Sequence, residues 1–125
     1  MPSLNRVQLI GRLGKDPENR STPKGSAYTT FSLAVDRRWK DKTGETHQDT
    51  DWFNVEAWGK LGELCGKFLT KGKLVYLEGR LRTRRYEHEG STRYFTTVVL
   101  GAMQILEKKT KEPELVEESE EEVAD

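Results

Sequence analysis

Within Thr50–Lys60, strand-like alternation places Trp52, Asn54, Glu56 and Trp58 on one face and Phe53, Val55 and Ala57 on the other. The second set reads as core. The first puts two of the chain's three tryptophans beside an amide and a carboxylate. Indole surface left in such company suits a planar ligand, nucleobases among them, or else seals a barrel mouth or a subunit interface. A second stripe lies further on. In the segment from Leu74 to about Tyr86, Glu78, Arg80, Arg82, Arg84 and Tyr86 share a face, with Val75, Leu77, Gly79 and Leu81 opposite. Aromatic π-faces accept any base and cations follow phosphates, so this pairing of residue types fits a nucleic-acid strand held without readout of its sequence. Glu56 works against it: a carboxylate between the indoles repels phosphate unless a basic neighbour pairs with it.

Catalytic chemistry finds little support. His47, Asp49 and Asp51 would share a strand face and could hold a divalent cation beside a scissile phosphate, the arrangement a nuclease needs. They sit at a loop-to-strand junction without a second carboxylate cluster, so an exposed polar stretch is the preferred reading, as it is for His88 at a hairpin tip. There is no phosphate-cradling glycine loop, zinc-ligand spacing or nucleophile motif. No catalysis, cofactor or metal is expected. The single cysteine, Cys65, excludes an internal disulfide, fits a reducing compartment and reads as a packing residue.

The elements that must position these residues follow from periodicity. Asn5–Gly14 reads as a first strand, with Gly11 and Gly14 marking a bend or bulge. Asp16–Gly25, with two prolines, reads as a loop. Ala27–Asp36 forms a second strand with Thr29, Phe31, Leu33 and Val35 inward. Strict alternation would put Trp39 with that inward set, so its exposure requires a bulge or the end of the strand. A turn at Thr43–Thr46 leads to the tryptophan strand. Leu61, Leu64, Cys65 and Phe68 recur at helical spacing and stop at Lys71-Gly72, which predicts a short amphipathic helix. Leu74–Tyr86 and Tyr94–Ile105 flank a hairpin turn at His88–Ser91. The predicted class is all-β with one short helix. Strand, strand, strand, helix, strand, strand is the order of the OB-fold, a five-stranded Greek-key barrel, and the element order alone leaves other five-stranded barrels open.

Charge divides the chain. Residues 1–106 hold 18 basic and 12 acidic residues, a net of +6, and residues 107–125 hold 3 basic and 9 acidic, a net of −6. A basic body with an acidic tail suggests a polyanion site and a tail that avoids it or competes for it. From Pro113 there are seven acids, no base and no aromatic. The expected organisation is a barrel domain over 1–106 and a disordered acidic tail over 107–125. No apolar run approaches membrane-spanning length, and Met1–Leu4 does not begin a secretory signal, so a soluble, cytoplasmic protein with no membrane partner is expected.

Several motifs together resemble the bacterial-type single-stranded DNA-binding proteins, over roughly residues 4–106. They are Asn5-Arg6-Val7, Leu9–Gly14, Asp16-Pro17, Trp39 with Asp41-Lys42, Thr50–Lys60, Lys71-Gly72, Glu78-Gly79 and Leu81–Arg84. The resemblance implies sequence-independent binding and protection of single-stranded DNA in replication, recombination and repair, without catalysis, by an OB-fold that assembles as a homotetramer. It aligns the family's base-stacking positions with Trp39, Trp52, Trp58 and Tyr86. Lys40, Lys42, Lys60, Lys71, Lys73, Arg82, Arg84 and Arg85 are the candidates for phosphate contacts. OB-folds also bind RNA and oligosaccharides, and a barrel that only carries an interacting tail is a further alternative. The family's tail reaches genome-maintenance proteins through a Pro-Phe tip after a long linker. This sequence ends Glu120-Glu121-Glu122-Val123-Ala124-Asp125, so weak or absent recruitment of such partners is expected.

Overall fold

The structure is a computed structural model that describes residues 2–107, so residues 108–125 of the acidic tail lie outside the described residues. Six strands and one helix follow in order: β1 (Val7–Leu13), β2 (Glu18–Ser21), β3 (Ala27–Lys40), β4 (Thr46–Trp58), α1 (Gly59–Phe68), β5 (Leu74–His88) and β6 (Ser91–Ile105). Five of them close a barrel. β1 pairs with β5 from Val7↔Gly79 to Arg12↔Leu74, then passes to β3 through Arg12↔Ala34 and Leu13↔Leu33. The circuit runs on through β5–β6, β6–β4 and β4–β3. All pairings are antiparallel except β4 with β6, where Val55 lies opposite Val98. This is the OB-fold, with α1 between the third and fourth barrel strands.

Alternation sets the core. Leu33, Val55, Val75, Leu77 and Val98 turn inward from four strands and are fully buried. Gly11 has no bulge beside it: a Cβ there would run into the Ala34 carbonyl, so it is glycine because β1 and β3 cross too closely for a side chain. The irregularity lies elsewhere. Glu78 pairs with Ala102 and Gly79 with Leu100, which leaves Gly101 as the extra residue of a β-bulge. At the far end, Glu89 (φ 52°) and Gly90 (φ 78°) form a two-residue turn with both residues left-handed, matching the twist of the β5–β6 hairpin.

Three expectations change. The loop at 16–25 contains β2, a short strand on the outer edge of β3, from Glu18↔Thr30 to Ser21↔Ala27. All four of its residues are exposed, so it has no apolar alternation to reveal it. The second strand runs on to Lys40 in unbroken register with β4, through Trp39↔His47 to Lys40↔Thr46. No bulge exposes Trp39, which stands one residue from the end of the lengthened strand. The β3–β4 ribbon outruns the barrel, and its inward face loses its cover there. Finally, α1 docks through Gly62, Cys65 and the following Leu69, while Leu64 and Phe68 face solvent, Phe68 at 52% exposure. Gly62 lies against the Ala57 carbonyl, and its own carbonyl accepts a 2.8 Å hydrogen bond from Thr29 Oγ1. Leu61 and Cys65 pack on the core as the spacing predicts, and the contact through backbone turns only Leu64 and Phe68 out of it. Burial raises the Cys65 thiol to about 11, which leaves it protonated and inert at neutral pH.

Candidate nucleic-acid interface

β4 presents Trp52, Asn54, Glu56 and Trp58 on its outer face, opposite Ala34, Ser32, Thr30 and Tyr28 of β3. Trp52 is 61% exposed. Its ring lies against Gly14, where a Cβ would sit 2.5 Å from Cζ3, so the glycine lets the indole lie flat over the end of β1. Trp58 is half-buried and stacks on Tyr28, with centroids 4.4 Å apart and rings 19° from parallel. Gly59, at φ 63°, turns the chain from this strand into α1.

Glu56 is 2% exposed, between the two indoles. Its Oε2 accepts the Trp58 Nε1–H at 2.6 Å and Arg84 Nη2–H at 3.1 Å, with Arg82 Nη1 at 3.8 Å. Its Oε1 accepts the Thr97 hydroxyl at 3.1 Å. The carboxylate therefore has the basic neighbours it requires, and it links β4 to β5 and β6. Arg82 and Arg84 share a β5 face with Tyr86, which is exposed. An open cavity of about 390 Å³ lies alongside, walled by Lys15, Tyr28, Asn54, Glu56, Arg84 and Phe95. Tyr28 and Phe95 are the aromatics that the sequence reading left out of the site. Phe95 stands opposite Arg84 on β6, and that pairing across the hairpin is the signal that could have found it.

Trp39 belongs to another surface. In-register pairing puts it on the opposite face of the β3–β4 ribbon from Trp52 and Trp58, 43% exposed, stacked on His47 at 5.5 Å with the Arg37 guanidinium 5.0 Å from its ring. The cations scatter similarly. Lys40 and Lys42 stand at the end of the arm and Lys60 in the first turn of α1, while Lys71 and Lys73 flank the turn before β5. Arg85 points to the other face of β5 from Arg84. Only Arg82 and Arg84 of the candidate phosphate contacts form salt bridges among the described residues. Lys73 lies close enough to Glu107 to contribute to its lowered pKa, behind Arg12 and the Leu74 amide. Glu107, placed by sequence at the head of the tail, accepts from Arg12 Nη1 at 2.8 Å and from Leu74 N–H at 3.1 Å.

The imagined His47, Asp49 and Asp51 cluster does not assemble. Asp49 and Asp51 both pair with Arg37, and His47 Nε2 lies 2.8 Å from Asp41 Oδ2. Asp41, Glu45 and His47 do bring their ligand atoms within 4.8 Å of one another. Asp41, however, is spent on the turn: its Oδ1 accepts the Thr43 N–H, the Thr43 hydroxyl and the Glu45 N–H. The Thr43 hydroxyl foremost, then His47, lowers the Asp41 carboxyl to about 2. The group reads as a staple for the arm's turn.

Several known proteins are similar to this chain. The model of the single-strand binding protein family matches residues 4–106. Single-stranded DNA-binding protein 1 of Chlorobaculum tepidum is 44% identical over 108 residues, covering 85% of this chain and 67% of that protein. The single-stranded DNA-binding protein of Neisseria meningitidis is 45% identical over 105 residues, covering 83% of this chain and 60% of its own. Among solved structures, a Plasmodium falciparum SSB in complex with ssDNA superposes with a TM-score of 0.78 at 32% identity, covering 86% of this chain and 98% of that one. A deletion mutant of the Thermus aquaticus single-stranded DNA binding protein gives 0.74 at 33% identity, covering 85% of this chain and 52% of that one.

Proposed function

The chain belongs to the single-strand binding protein family, and from that premise we propose that it binds and protects single-stranded DNA without sequence preference during replication, recombination and repair. The observation that supports this reading is the outer face of β4, which carries the exposed Trp52 and the half-buried Trp58 and is tied through Glu56 to Arg84, on the β5 face that also carries the exposed Tyr86. Each base stacked on an aromatic side chain contributes about 1–3 kcal/mol whatever its identity, so a few platforms suffice for tight binding. Trp39 adds a platform on the arm, reached by a strand that wraps from one ribbon face to the other. Lys40, Lys42, Lys60, Lys71, Lys73 and Arg85 supply phosphate contacts around the periphery. Arg82 and Arg84 do so in part, since Glu56 already draws on their charge.

In this reading the protein is a binder and not an enzyme, works in the cytoplasm at the nucleoid, and assembles as a homotetramer. The exposed Tyr94 supports the last point. Any recruitment of genome-maintenance proteins falls to the acidic tail. Anisotropy with labelled dT oligomers, competed by DNA and RNA of equal length, tests the ligand class. DNA is expected to displace the probe at lower concentration than RNA, with the oligomers left intact in the presence of magnesium. Preferential displacement by RNA, or magnesium-dependent cleavage, would replace this reading with another.

A further inference from the structure

Resting on that reading, we propose that Glu56 is a positioning residue for the DNA-binding face, orienting the Trp58 indole and withholding the Arg84 guanidinium from phosphate. A buried carboxylate is an expensive way to fill the space between two strands. Where stability alone matters, an apolar side chain of similar size is commonly as good or better. Yet this carboxylate sits at 2% exposure in the middle of the face that its own charge should spoil.

Its contacts show what it accomplishes. The 2.6 Å bond from Trp58 Nε1–H fixes the edge of the indole, while stacking on Tyr28 at 4.4 Å fixes its plane. Together they leave the ring one orientation in which to meet a base. The bond from Thr97 Oγ1, itself buried, fixes the carboxylate from the opposite side, so Glu56 cannot follow a moving indole. The same oxygen that holds Trp58 holds Arg84 at 3.1 Å, with Arg82 at 3.8 Å. A guanidinium tied in this way has a carboxylate as its partner and is directed at protein, although its side chain remains 40% exposed. Stacking is thereby favoured over electrostatics at the centre of the face, and the dominant cations stand at its edges.

The test couples two positions. Glu56→Gln keeps the shape but loses the charge, and Glu56→Met removes the acceptor as well while filling the space. Trp58→Phe retains a stacking ring with no N–H to be oriented. Affinity for a dT oligomer is measured against salt for each variant, alone and combined, in proteins whose melting shows a folded barrel. At high salt, where freed arginines contribute little, Glu56→Met is expected to weaken binding by about threefold or more in the parent and hardly at all in the Trp58→Phe background. For both Glu56 variants the slope of log affinity against log salt should steepen, by about 0.7 for each guanidinium released to phosphate. A residue that only stabilises the barrel would shift melting without this coupling or this change of slope. Equal losses in both backgrounds, or parallel salt lines, would overturn the assignment of Glu56 while leaving DNA binding in place. Failure of the unchanged protein to bind dT would instead overturn the reading on which it rests.

Discussion

Trp52 and Trp58 stand two residues apart on one strand face but are held differently, and substitutions should separate them. Trp52 is largely free, so Trp52→Ala should leave stability within about 0.5 kcal/mol of the parent, as surface changes usually do, while weakening DNA binding by about 5- to 150-fold. Trp58→Ala should weaken binding over a similar range and also lower the melting temperature, because Tyr28 loses its stacking partner and Glu56 a hydrogen bond. Parallel thermal melts and dT titrations check both. The residues themselves were legible in the sequence, since period-two alternation named the face correctly. What could not be read was pairing between distant strands. Glu56 looks like an intruder until Arg84 and Thr97, 28 and 41 residues away, are seen to share its oxygens.

Among the elements, α1 and the β3–β4 arm depart furthest from a purely periodic reading. Helical spacing predicts Leu64 and Phe68 inside, but the close approach of Gly62 to β4 sets the docked face. Leu69→Ala should therefore cost about 2–5 kcal/mol in urea unfolding, and Phe68→Ala less than about 1 kcal/mol. The reverse order would place the helix as its leucine stripe suggests. In the arm, the Asp41 carboxyl falls from an ordinary 3.8 to about 2, because its charged form accepts bonds from Thr43 and faces His47. A depressed pKa means stabilisation that is complete above the ordinary value and lost as pH falls through the folded one. The amide resonances of Thr43 and Glu45 should accordingly titrate with a midpoint near 2. A midpoint at the ordinary 3.8 would mean that the staple does not hold the charged form. The arm's length was hidden because exposed ends of paired strands carry no core alternation, and β2 escaped notice for the same reason.

The molecule as a whole was legible in its outline, because five barrel strands and one helix each carry a periodic signal and together admit few closed arrangements. Subunit contacts were less so. Apolar residues fall on both faces of β6, but Tyr94, Phe95, Val98, Val99 and Leu100 divide between two environments: Val98 and Leu100 are buried within the single chain, whereas Tyr94 and Phe95 are exposed. The homotetramer proposal thus relies on fewer residues, and light scattering at micromolar concentration should return about four times the 14.4 kDa of the chain. A mass near 14.4 kDa would exclude it. The central claim, that exposed indoles are platforms for bases, is tested most directly by titrating poly(dT) into the protein while following tryptophan emission. Saturable quenching is predicted, with an affinity that declines as salt rises yet does not vanish, since stacking survives screening. Emission unchanged through saturation with DNA, or binding of equal strength in a folded Trp52→Ala and Trp58→Ala double variant, would contradict it.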